Sequence, residues 1–226
     1  MKVKILLEVI LSKFFVVVKI IILQDWEHIR EITKKHDIYK DILVFLGCEL
    51  TAIKEKWGDH NIYYFNEQTV INRASKWFEG PYDDWPDTPV ANDLYEKHDS
   101  VKALINLHVG GFTSNLNFHN PELEKMIEVH SSHATSRWFI EDAFNKIYQL
   151  GITARSDGVS GRHGLEHPVR KQTRNLTNGI TASLAKKFDK KNIWDALGNR
   201  LFYATTGERI LLDFKINSKF MGESIS

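Results

Sequence analysis

MIEVHSSHATSRWFIEDAFNKIYQLGITARSDGVSGRHG, residues Met126–Gly164, reads as strand, loop, helix, strand and loop. Met126–Val129 and Ile152–Ala154 are short and rich in branched side chains, as buried strands are. Between them, Trp138–Leu150 is predicted as a helix with Trp138, Phe139, Ala143, Ile147 and Leu150 inward, closed by Gly151. Each strand runs into groups that bind metals: Glu128 and His130 after the first, Asp157 after the second. A strand–helix–strand unit of this spacing calls for a parallel pair, and strand-end ligands for a metal site at the mouth of an α/β sheet or barrel.

The same alternation extends outward. Asp25–Asp37 carries Trp26, Ile29 and Ile32 at helical spacing. Ile42–Gly47 is a continuous apolar run, predicted as a strand buried on both faces and followed by Glu49. Asn61–Phe65 is a further strand entered through Asp59 and His60, and 66–87 a long polar and aromatic loop. Thr88 and Pro89 start a helix carrying Leu94 and Tyr95 inward, and Val101–Leu107 is a strand ending in His108. Downstream, Ile180–Leu184 is a strand, Lys190–Leu197 a helix capped by Asp189, and Phe202–Ala204 and Ile210–Ile216 are β-like, with a turn at Asn217 and Ser218.

Parallel strands send their C-terminal ends to one side, so Glu49, His108, Glu128, His130 and Asp157 are the candidate metal ligands. Mixed imidazole and carboxylate donors suit zinc, manganese or iron rather than magnesium or calcium. A metal-activated hydroxide and a polarised phosphoryl or carbonyl oxygen make hydrolysis the natural chemistry. Arg162 and Arg209, with His163, are the candidate anion-binding residues, since arginine suits bidentate phosphate contacts. A single strand-end histidine more often has a structural role, and His119 is read as a solvated loop residue.

The totals exclude other classes. The chain has 226 residues, 42% apolar and 26% charged, enough for one large α/β domain with an appendage. A net charge of +1 and the lack of a basic, aromatic-interleaved cluster argue against nucleic acid. Cys48, the only cysteine, rules out a disulfide within the chain and a cysteine-cluster zinc site, and leaves cytoplasm and periplasm both open. No Gly-x-Ser-x-Gly elbow, dinucleotide fingerprint or phosphate loop is present. Residues 1–24 are apolar, but Glu8, Lys13 and Lys19 interrupt them, which argues against a membrane anchor or signal peptide.

DWEHIREI, FLGCELT, HNIYYF, LHVGG, NFHNPELEKMIEVHSSH, ARSDGVSGRHG, NGITA and IWDALGNRLFYATTGERILLDFKINSKFMGE occur in order over residues 25–223. In these stretches the chain resembles a bacterial domain family of unknown function allied to the polymerase-and-histidinol-phosphatase (PHP) superfamily of metal-dependent phosphoesterases. The resemblance implies a distorted (β/α)7-type barrel over residues 25–207, with metals at the strand C-termini. It also implies that the first barrel strand is missing, that 208–226 begin a C-terminal β region, and that the chain is a fragment. Its open barrel edge would be covered by residues 1–24, further chain segments or an oligomer. The implied reaction is hydrolysis of a small phosphorylated or other ester substrate, with Glu49, His108, Glu128 or His130, and Asp157 at ligand positions.

Three positions depart from the superfamily pattern. The chain has no His-x-His pair; Ser156-Asp157-Gly158 is followed by Val159 where a histidine is expected; and Gly161-Arg162-His163-Gly164 replaces Gly-Arg-Pro-Gly. They support an alternative in which the fold persists as a non-catalytic binding or assembly module.

Overall fold

The computed structural model describes residues 5–7, 23–36, 43–52, 57–66, 91–97, 102–131, 133–157 and 178–225. In chain order they form β1 (Ile5–Leu7), α1 (Leu23–His36), β2 (Leu46–Ala52), β3 (Gly58–Tyr64), α2 (Ala91–Lys97), β4 (Ala103–Leu107), a 3₁₀ turn (Leu116–Phe118), β5 (Glu124–His130), α3 (Arg137–Asn145), β6 (Gly151–Ala154), β7 (Ile180–Ala185), α4 (Lys190–Gly198), β8 (Phe202–Thr205), β9 (Lys215–Ile216) and β10 (Lys219–Phe220). The chain divides into two compact units, one of residues 15–124 and one of residues 1–14 with 125–226.

In the unit of residues 15–124, β2, β3 and β4 form an antiparallel meander. Parallel pairing had been expected. Only residues 53–57 separate β2 from β3, far short of the dozen or so that a parallel crossover requires. The strand β2 also starts where the apolar run Ile42–Gly47 is ending, so it alternates rather than being apolar on both faces. In register, Leu46 faces Tyr64, Cys48 faces Ile62 and Leu50 faces His60, while Ile62 faces Ile105 across the next ladder. Paired residues share a face, and residues two apart along a strand share it too. This face therefore packs Leu46, Cys48, Leu50, Ile62, Tyr64, Ala103 and Ile105 with Trp26, Trp57, Leu94 and Leu123 into the core. Full burial of each large side chain stabilises by roughly 1.5–3 kcal/mol. On α1 the inward positions are Trp26, Ile29 and Thr33; Ile32 is exposed, and the Thr33 hydroxyl is satisfied by the Ile29 carbonyl at 2.9 Å.

The other unit holds the expected β–α–β unit: β5 and β6 pair in parallel across α3. The helix is shorter than its periodicity predicts. It ends at Asn145; Phe139, Ile140 and Ala143 are buried, and Trp138 and Ile147 are exposed. Ile147, not a glycine, takes the left-handed conformation after it (φ 61°). A second sheet has the order β1-β7-β8, with both pairings antiparallel even though α4 lies between β7 and β8. Asp189 caps α4 as predicted, accepting the Asn192 amide at 2.7 Å. Only the end of the Ile210–Ile216 stretch is a strand, paired as β9 with β10 through the left-handed Asn217 and Ser218.

The fold is thus mixed α/β, and among the described residues no sheet closes into a barrel. No helix of the described residues is long and apolar enough to cross a membrane. Arg162, His163, Val159 and the Thr88–Pro89 helix start lie outside the described residues.

Cys48 lies in the core with its sulfur 3.8 Å from the Tyr64 hydroxyl. Burial, reinforced by the negative charge of Glu49, pushes its thiol up to about 12 even though the Tyr64 contact lowers it. Thiolate is the reactive form, so a disulfide reagent at pH 8 should not label the native chain and should label it fully in denaturant. Fast native labelling would contradict this packing.

Candidate metal centre

The meander's second face is polar. Glu49 is in register with Asn61, and Asn61 with Asn106. Asp59 stands two residues before Asn61, and His108 two residues after Asn106, so all five share this face. All are buried: Asp59 and Asn106 have no exposed surface, and Glu49 keeps 8%.

Glu49, Asp59 and His108 each bring a donor atom within 4.8 Å of the others. The His108 Nε2 lies 3.9 Å from Glu49 Oε2. That is too long for a hydrogen bond but within twice the ~2.1 Å of a metal–donor contact, so one ion can touch both. The Asp59 carboxylate is half used. Its Oδ2 accepts the Phe112 amide at 2.9 Å, while Oδ1, fully buried, has no hydrogen-bond partner among the described residues. A buried carboxylate oxygen left in that state costs free energy unless something cationic or donating meets it. Two carboxylates and an imidazole with such an oxygen fit a divalent transition metal.

The segment following His108 wraps around Asp59. The Asp59 amide donates to the Phe112 carbonyl at 2.6 Å, and the Ser114 hydroxyl donates to the Asp59 carbonyl at 2.5 Å. Two glycines permit the close approach. At Gly58 (φ +88°) a Cβ would lie 2.3 Å from the Thr113 carbonyl oxygen, and at Gly111 (φ +51°) it would lie 2.6 Å from Asp59 Oδ2.

On the apolar face of β3, His60 stacks on Trp57 with ring centroids 3.9 Å apart and leads to a buried carboxylate, Glu124. Glu124 Oε2 accepts His119 Nδ1 at 2.7 Å and the Asn120 amide at 2.9 Å, and its Oε1 accepts the Tyr95 hydroxyl at 2.6 Å. His60 Nε2 lies 3.5 Å from Oε1, a charge contact without hydrogen-bond geometry. Burial raises the Glu124 pKa, but His119, His60 and Tyr95 outweigh it and hold the carboxyl below its usual value. Burial, then the charge of Glu124, pushes the Tyr95 hydroxyl well above its own. His119, its side chain 6% exposed, is therefore a structural partner of Glu124 and not the solvated loop histidine its position suggested.

Of the sequence-predicted ligands, Glu49 and His108 come together, though Glu49 lies in mid-strand and not at a strand end. Glu128, His130 and Asp157 belong to the other unit. Glu128 is paired with buried Arg155, His130 Nδ1 lies 2.7 Å from Thr135 Oγ1, and His133 Nε2 lies 2.9 Å from Asp157 Oδ2. The register of β5 against β6 shifts between Glu128 and His130, so their two-residue spacing no longer implies a shared face. Arg209 is exposed beyond β8. Sequence reasoning missed Asp59 and Glu124. The alternation of Asp59, Asn61 and Tyr63 against His60, Ile62 and Tyr64 was the available signal for Asp59; Glu124 had none.

No family model matches the chain. It is 25% identical over 136 residues to an uncharacterized protein of Chlamydia trachomatis serovar D, covering 51% of this chain and 22% of that protein. It is 42% identical over 87 residues to an uncharacterized protein of Chlamydia muridarum, covering 38% of this chain and 14% of that protein. The chain thus spans less than a quarter of the length of these curated relatives. Among solved structures it is similar to a two-domain protein from Bacteroides vulgatus ATCC 8482 described as containing a predicted PHP-like metal-dependent phosphoesterase. That similarity has 19% identity and a TM-score of 0.45, and covers 83% of this chain and 50% of the other.

Proposed function

We propose that this chain carries the metal site of a PHP-like metal-dependent hydrolase acting on a phosphoester. The observation that carries this reading is the buried group of Glu49, Asp59 and His108, with one Asp59 oxygen lacking a hydrogen-bond partner among the described residues. Ionised, the two carboxylates would bring two negative charges to one place, and a dication offsets them. A divalent cation held there would supply Lewis acidity toward an ester oxygen and acidify water. His108 contributes a neutral nitrogen donor, which favours zinc, manganese or iron over calcium. Arg162, His163 and Arg209 are the proposed holders of the substrate anion.

A second reading keeps the fold and loses the chemistry. Arg155 engages Glu128, and Val159 stands where the superfamily pattern has a histidine; both favour a reduced site. Metal analysis of the purified chain, with hydrolysis of a generic phosphomonoester and phosphodiester after loading with Mn²⁺ or Zn²⁺, separates the two. Metal-dependent turnover abolished in Glu49→Gln is expected for the hydrolase. Metal uptake without turnover would establish the non-catalytic reading, and no uptake would sink both metal assignments.

A further inference from the structure

We infer that Ser114 is a positioning residue for the metal centre and that Asp59 binds the ion through Oδ1 alone. This rests on the metal-site reading above.

Ser114 is 3% exposed and joins the backbones of two of the three donor residues. Its hydroxyl donates to the Asp59 carbonyl at 2.5 Å and accepts the His108 amide at 2.8 Å. Its own amide donates to the His108 carbonyl at 2.9 Å, closing the 108–114 segment into a loop. One hydroxyl thus ties Asp59 directly to His108, which lie on different strands just past the end of the β3–β4 ladder, alongside the bonds that Phe112 makes to Asp59. That ladder's last registered pair is His60 with Leu107, one step short of these residues.

The carboxylate is oriented by the same loop. Phe112 donates its amide to Oδ2, and the bare Cα of Gly111 leaves space against that oxygen. With Oδ2 held, Oδ1 is the oxygen left for an ion. Hydrogen bonds of this kind, behind the coordinating atoms, typically change metal affinity 10- to 100-fold when removed.

The test is calorimetric titration of the full chain with Mn²⁺, with the visible absorption of Co²⁺ as a second readout of coordination geometry. Ser114→Ala should weaken binding about 10- to 100-fold and alter the Co²⁺ bands. Ser183→Ala removes another fully buried hydroxyl, from β7, and should leave both unchanged. Ser114→Ala binding Mn²⁺ as tightly as the parent chain, with the same Co²⁺ bands, overturns the positioning role while leaving the metal site standing. No binding by the parent chain overturns the metal site and this inference together. If Ser114→Ala fails to fold by circular dichroism, Asp59→Asn decides: it keeps an oxygen for Phe112 but loses the charge, and undiminished affinity would overturn the Oδ1 assignment.

Discussion

Glu124→Ala should destabilise the chain by about 3–5 kcal/mol, the cost of breaking a buried charge network by removing one partner. An exposed ion pair would be worth at most about 1 kcal/mol, but Glu124 is 1% exposed and His60 has no exposed surface. Without the carboxylate, His119 loses its 2.7 Å partner, Tyr95 one acceptor and the Asn120 amide its 2.9 Å acceptor. The result should be a lower urea midpoint at unchanged slope.

Glu124 also sets a pH dependence. Its folded pKa is depressed, so its contribution is complete above the ordinary value of 4.5 and is lost as pH falls through the lower folded value. Glu124→Gln, of nearly the same shape, should be less stable than the parent chain at pH 7 and should lack this part of the acid-induced loss below pH 4.5. Parallel stability curves for the two proteins in that range would show that Glu124 is not the titrating group.

The second large effect is expected at Gly58. In Gly58→Ala the added methyl carbon would lie 2.3 Å from the Thr113 carbonyl oxygen, 2.7 Å from its carbon and 2.8 Å from the Phe112 carbonyl oxygen. These are backbone atoms of the loop that wraps Asp59, so they cannot yield as a side-chain tip would. The φ of +88° adds strain for any L residue. Overpacking and backbone strain together should cost about 3 kcal/mol or more, and Mn²⁺ affinity should fall with the displaced loop. Gly198→Ala is the contrast: nothing lies within 4 Å of the new carbon and its φ is ordinary, so it should be neutral or stabilising by about 0.4–1 kcal/mol. Comparable melting temperatures for the two variants would refute the assignment at Gly58.

Helix and strand positions were legible where local chemistry decides them. Asp189 before Lys190 marked a cap, Asn217-Ser218 marked a turn, and the spacing around Met126–Ala154 marked a β–α–β unit. The errors fall where position alone was used. Ile32 and Ile147 fit a helical stripe on paper, but Thr33 is the inward residue of α1, and α3 ends before Ile147.

At the site, the residue types that can hold a metal were visible in the chain, and two of those read from it, Glu49 and His108, lie near one another. Strand direction was not visible. The long connection from β3 to β4 permits either direction of return, and reading the first strand at Ile42–Gly47 hid how short the β2–β3 connection is, so the alternation of elements suggested parallel ends where β2, β3 and β4 pair antiparallel. Register then did what direction had been expected to do: it placed Glu49, Asp59 and His108 on one buried face and sent His60, one residue from Asp59, to the other, where Trp57 and Glu124 meet it. Local sequence could specify the donors, the caps and the turns, because those depend on a few adjacent residues. Which of these side chains meet depends on pairing between strands distant in the chain, and only the folded meander decides that.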